Sequence, residues 1–286
     1  MAEMKYFSVR VIADCVYPLG QRITTMKWTY WRAIHSEVMT HRALSKNAAS
    51  SRAIPVEKMI ESVEINPAGP LRWGKNGKGM QDHGEMVGIE AVASRQAWIA
   101  ASKSAAGQAR RLLALGLHKQ IVNRVLEPFA WMTTLITGTD WENFFSLRVH
   151  KDAQPEFQHL AYLALRTYME SKPTELKWGE WHMPYGDKLP DGVGEDDRVK
   201  YAVGRAAWVS YDALEKDAPV DAPIRTHDSL IKNGHWSPTE HPAQAHEGRW
   251  GNFNGWKQYR KFFPHHQENR QCDLEELLRT YEGSVK

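Results

Sequence analysis

The sequence predicts a chain of mixed helix and strand, on three observations. Residues 6–17 and 129–137 are rich in β-branched and aromatic side chains, as strands are. Residues 85–115 and 158–170 instead carry apolar side chains at the three- and four-residue spacing of a helix face. A stretch dense in Gly, Pro and acids, residues 178–197, separates these elements from a further helical pattern that resumes near Val199.

Taken in order, the first strand ends at Pro18-Leu-Gly20. Trp28, Trp31, Ile34 and Val38 then recur at helical spacing, so a helix is expected from Arg22, delivering Thr40, His41 and Arg42 at its C-terminal end. Ser45, Asn47, Ser50 and Ser51 compete with the backbone for hydrogen bonds, which predicts a turn rather than a regular element. A short helix follows Pro55. Residues 73–84 contain glycines and lysines without the phosphate-loop spacing, and read as an irregular loop. The alanine-rich helix at 85–115 suits close packing and can end at Gly116. Residues 250–264 mix aromatics with cations, a pattern that stacks a planar ligand or packs under a last helix at 274–281. Division is expected at 1–175, a connection at 176–198, and 199–286, the whole forming one compact unit.

With 42% hydrophobic and 25% charged residues the composition is ordinary for a globular protein, and a net charge of +3 is too small to mark a nucleic-acid binder. Without a run of about 18 apolar residues or a signal-peptide pattern, the expected location is the cytoplasm. Cys15 and Cys272 are the two cysteines, which argues against a disulfide framework. His235 and His241, six residues apart, do not share a helix face, so no metal site is expected.

Chemistry concentrates at residues 37–55. Hydroxyls, backbone N–H groups and the planar forks of Arg42 and Arg52 suit a phosphate, although an arbitrary His-Arg followed by serines is more often a helix end with a polar turn. His41-Arg42, seven residues, then Ser50 resembles the Arg-His-Arg-x7-Ser signature of the flavin-dependent thymidylate synthases, with Asn47 and Arg52 also matching and Thr40 in place of the first Arg. Arg124 before Pro128, then Asn143, Leu147, Arg148, Ala153, Gln154 and Glu156, match a second family segment in order and approximate spacing. Residues 205–212 and 227–241, the latter containing Gly-His-Trp-Ser-Pro-Thr-Glu-His, resemble segments that precede the signature in the usual family order. Here they follow it, so the sequence resembles a circularly permuted, divergent member. Permutation is tolerated where termini meet at the surface.

The resemblance implies an α+β fold, with helices packed on a mostly antiparallel sheet, and a homotetramer with sites shared between subunits. It implies FAD as cofactor, NADPH and methylenetetrahydrofolate as co-substrates, and one-carbon transfer to C5 of a deoxypyrimidine monophosphate, dUMP before dCMP. By the same resemblance His41, Arg42, Asn143, Ser210, Ser237 and Glu240 hold the flavin, and His235 lies near the folate or nicotinamide opening. Ser50, Arg52 and Arg124 bind the nucleotide phosphate, and Arg148 faces the pyrimidine as the catalytic cation. Glu37, Thr40 and Ala48 stand where the family commonly has Gln, Arg and Glu. A carboxylate at Glu37 accepts from an amino group and repels a carbonyl, which keeps dCMP as acceptor, or a hydroxymethyl product, as the second expectation. A relative that binds nucleotides or nucleic acid without catalysis is the alternative from another class.

Overall fold

The computed structural model describes residues 6–17, 20–186, 189, 192–210, 219–264 and 274–284. The expected turn at Pro18, the end of the 205–212 segment and Cys272 fall outside these residues. Among the described residues, a five-stranded sheet has the order β3-β4-β2-β1-β5 and a three-stranded sheet the order β6-β7-β8. Every pairing is antiparallel except that of β1 with β5, and helices pack on this mostly antiparallel framework, the expected α+β class.

β1 (Ser8–Val16) fulfils the first strand expectation. The expected helix from Arg22 is corrected: β2 (Arg22–Trp31) is a strand at the centre of the larger sheet, and only a 3-10 turn (Arg32–Ile34) and the short α1 (His35–Met39) continue as helix. β2 is rich in Thr, Ile and aromatics, which favour the pleated conformation. It is also buried on both faces, with Ile23, Thr24, Thr25, Met26, Trp28 and Tyr30 all inaccessible. Apolar residues on both faces erase the alternation that would have announced a strand.

The expected turn after Arg42 is likewise corrected in part. Ser45–Ala48 is an edge strand, β3, pairing with residues 134–137 of β4 (Trp131–Gly138). The neighbouring ladder supplies the backbone partners for which the polar side chains would otherwise compete. The connection at 178–197 contains a short strand, β6 (Trp181–His182), and α7 (Glu195–Ala207) starts ahead of Val199, with Glu195, Asp196 and Asp197 in its first turn where the helix dipole favours acids. β5 (Thr174–Glu175) precedes that connection.

α2 (Val56–Ile65), α3 (Gly88–Ala114) and α4 (Lys119–Leu126) share a small core of their own, in which Ala106 and Ala109 of α3 are fully buried. α5 (Glu142–Arg148) and α6 (Pro155–Glu170) cover the larger sheet, where Phe157, Leu160 and Ala164 join Trp28, Tyr30 and Ile136 in the main core. α8 (Asp221–Asn233) ends at Gly234, whose φ of 71° is the left-handed conformation of a helix stop. β7 (Ala243–Trp250) and β8 (Phe253–Gln258) form a hairpin. Its Phe253 and Trp256 are buried with Cys15, Tyr17 and Ile23, so these aromatics of the 250–264 stretch pack against the sheet rather than under α9 (Leu274–Ser284). At Gly255 a β-carbon would stand 2.6 Å from the Tyr17 hydroxyl, and its φ of 76° also favours glycine. No helix among the described residues is long and apolar enough to cross a membrane.

Candidate active site

Three clusters gather most of the expected site residues. The first is a cleft of about 340 Å³ between the end of α1 and α5, lined by Thr40, His41, Arg42, Ala43, Leu44, Asp140, Asn143, Phe144, Leu147 and Arg148. The His41 ring meets the Phe144 ring edge-on at 4.9 Å and Phe157 at 5.7 Å. Arg148 Nε–H donates to His41 Nε2 over 2.9 Å, so that nitrogen is unprotonated. Burial, then the positive charges of Arg148 and Lys46, lower the His41 pKa to about 4, and at neutral pH the imidazole is an uncharged acceptor. Arg148 lies over the Phe157 ring at 4.7 Å, and Glu37 Oε2 is 3.7 Å from its Nη1. Three side chains therefore orient this guanidinium.

Lys46 was not foreseen. Its ammonium donates to the His41 and Leu44 carbonyls, bracing the backbone that carries His41. Burial pushes its pKa down to about 8, against the pull of Glu240. A lysine among serines gave no signal of this, because its partners are main-chain atoms.

The second cluster joins β3 to the segments beyond residue 200. Ser210 Oγ accepts from the Ser50 N–H at 2.9 Å, Asn47 Nδ2 donates to the Ala206 carbonyl at 2.6 Å, and the Ser237 hydroxyl donates to Asn47 Oδ1 at 3.3 Å. Ser45 Oγ donates to Glu240 Oε2 at 3.0 Å, while Arg260 Nη1 holds Glu240 Oε1 at 2.5 Å. Glu240 is thus a link between β3 and the chain after β8, and Arg260 is a member the sequence did not reveal. The segments that lie late in this chain are folded back onto the signature.

The third cluster lies beside Ser50. Glu127 Oε1 accepts from the Ser51 hydroxyl at 2.7 Å and from Arg124 at 2.9 Å, with Arg32 at 2.9 Å. Asn123 Nδ2 donates to the Ser51 carbonyl at 2.6 Å, and the backbone N–H of exposed Arg52 donates to the Ser50 hydroxyl at 3.3 Å. Arg124 is thereby tied through Glu127 to Ser51, the residue before Arg52. His235 is exposed at the end of α8, its N–H donating to the Leu230 carbonyl, and the structure does not draw it into these clusters.

Beneath them runs a buried chain of side chains. Cys15 Sγ is 3.2 Å from His182 Nδ1, His182 Nε2 is 2.7 Å from Thr25 Oγ1, Thr25 Oγ1 is 2.7 Å from Thr137 Oγ1, and Thr137 Oγ1 is 2.8 Å from His241 Nδ1. Burial lowers both histidines to a pKa of about 3. His241 directly follows Glu240, so this network pins the second cluster to the sheet.

Residues 23–174, which are 152 of the 286, match the family model of the thymidylate synthase complementing protein. The chain belongs to this family. At the family's level it is a nucleotide-modifying enzyme of one-carbon transfer. Among solved structures it is similar to the UMP/dUMP methylase PolB from Streptomyces cacaoi bound with 5-Br UMP, at 15% identity and a TM-score of 0.50, over 59% of this chain and 91% of that one. The same methylase bound with 5-Br dUMP gives 17% identity and a TM-score of 0.48, over 59% and 93%. The former likeness is one of fold. No curated protein matches the chain.

Proposed function

We propose that this thymidylate synthase complementing protein family member is an FAD-dependent enzyme that transfers a one-carbon unit from methylenetetrahydrofolate to C5 of dUMP, with methyl as product. The observation that carries the reading is the neutral His41 holding Arg148 at a cleft built from two segments of the family-matched region. The residues present fit a flavin dinucleotide: Arg42 and Arg148 offer charge, Asn143 an amide, and Phe144 an apolar wall. A volume at the small end of ligand pockets suits one ring system, with a neighbouring subunit of a homotetramer closing the rest.

When bound, FAD charged by NADPH supplies the electrons that reduce the transferred methylene to methyl. The chain supplies position and electrostatics. Arg148, fixed by His41, Phe157 and Glu37, faces the pyrimidine and stabilises the negative charge that develops as C5 becomes nucleophilic. His41 can fix it because a neutral Nε2 accepts a hydrogen bond that an imidazolium could not. Ser50, Arg52 and Arg124 hold the phosphate, and Arg42, Asn143, Ser210, Ser237 and Glu240 hold or support the cofactor.

Glu37 beside Arg148 favours a second reading, in which dCMP is the acceptor or the product carries hydroxymethyl. FAD-loaded enzyme incubated with methylenetetrahydrofolate and either dUMP or dCMP, with and without NADPH, separates the two by mass analysis of the nucleotide. Methyl addition to dUMP supports the first reading. Turnover of dCMP alone, or a product with an extra oxygen, replaces it with the second.

A further inference from the structure

The β7–β8 hairpin lies outside the family-matched residues, yet it is bound to the cleft's rim at several points. Asn252 Nδ2 donates to the Ala43 carbonyl at 3.1 Å, and the Asn254 N–H donates to Thr139 Oγ1 at 3.0 Å. Arg249 Nη2 donates to Asp140 Oδ2 at 2.7 Å. Ala43 and Asp140 both line the cleft. A shift in register between Ala245 and Arg249, at Gly248 with its φ of 81°, sets Arg249 opposite Asn254 at the hairpin's end.

Asp140 is the anomaly. A carboxylate in a cleft whose other charges are Arg42 and Arg148 opposes an anionic ligand unless its charge is cancelled. Arg249 cancels it. The side chains of this pair are 55% and 35% exposed, so the guanidinium stays open to a second anion while it pairs with Asp140. Among the described residues, Asp140 engages this guanidinium through Nη2 at a single carboxylate oxygen, whereas a phosphate offers a planar fork two or more acceptors.

We propose that Arg249 is a phosphate-binding residue of the cleft, carried by the hairpin and anchored by Asp140 through Nη2 while the rest of its guanidinium fork meets a phosphorylated ligand. The identity of that ligand as dUMP or FAD rests on the function proposed above. The side-chain bond of Asn252 and the main-chain bond of Asn254 keep the hairpin in place, so Arg249 bridges Asp140 and the ligand without movement of the strands.

The test is calorimetric titration of wild type, Arg249→Ala and Asp140→Asn with dUMP, deoxyuridine, FAD, riboflavin and inorganic diphosphate. Arg249→Ala is expected to weaken one phosphorylated ligand and diphosphate by about tenfold, and its unphosphorylated counterpart not at all. Whether dUMP or FAD is affected tells which phosphate Arg249 holds. Asp140→Asn, which removes the opposing charge, is expected to tighten the same ligand by up to about fivefold. Equal losses for phosphorylated and unphosphorylated forms, or unchanged affinity for dUMP, FAD and diphosphate alike, overturn the proposal. A wild type that binds diphosphate but neither dUMP nor FAD refutes the proposed function, and the diphosphate arm still decides the role of Arg249. A wild type that binds none of the probes overturns both.

Discussion

Acid should unfold this protein partly through two histidines that no solvent reaches. His182 and His241 are fully buried and neutral, with pKa values lowered from 6.5 to about 3. Because the native values lie below the unfolded one, the unfolded chain takes up protons that the native chain refuses. Their contribution to stability is therefore complete above pH 6.5 and is lost as the pH falls through that value toward 3. Between about pH 7.5 and pH 5.5 each such histidine costs about 1.4 kcal/mol, and the pair about 2.7 kcal/mol, whatever the native value so long as it stays well below 5.5. His241→Asn isolates one share, since an amide reaches the place of Nδ1 beside Thr137 and does not titrate in this range. Urea denaturation of both proteins at the two pH values measures it. The variant should be less stable at both, yet its loss on acidification should be smaller by about 1.4 kcal/mol. An equal loss in the two proteins would refute a neutral, buried His241.

Other perturbations probe the clusters separately. Arg52→Ala should weaken dUMP by roughly ten- to a hundredfold with FAD still bound, and unchanged affinity by calorimetry removes Arg52 from the phosphate site. Glu240→Ala strands Arg260 and releases Ser45, so bound flavin should be lost while circular dichroism is retained; normal flavin absorbance in a folded variant counts against the link. The His41 pKa is held down first by burial, then by Arg148 and then by Lys46, so Lys46→Met should raise it from about 4 by only the smaller part of its shift. An NMR titration in which the His41 ring does not move would show that Lys46 braces the backbone only.

What could be read in the sequence was local. His41-Arg42 with Ser50 and Arg52, and Asn143 with Arg148, sit in short strings whose residue order survives in print, and the fold class followed from the same strings. β2 hides its strand pattern because Trp28, Trp31, Ile34 and Val38 are all buried for different reasons, the first two in a strand and the last two in helical turns. Spacing alone cannot separate these when both faces of a strand are covered. The buried network was invisible for another reason. Thr25 and His182 are 157 positions apart and Thr137 and His241 are 104 apart, so nothing local marks either histidine as core. The two-residue strand β6 that brings His182 there is too short to carry a pattern.

As a strand rather than a turn, β3 lets one polar run make two sets of contacts. In a turn, Ser45, Lys46 and Asn47 would point in unrelated directions. In a strand, alternate residues share a face. Ser45 and Asn47 accordingly meet Glu240, Ser237 and the Ala206 carbonyl, which belong to segments late in the chain, while Lys46 between them turns to the His41 and Leu44 carbonyls. One side of the strand receives the segments that lie beyond residue 200, and the other braces the residue that orients Arg148. Because β3 is an edge strand held by β4, both jobs rest on the same backbone ladder, and a shift of register by one residue would exchange the two faces and undo both.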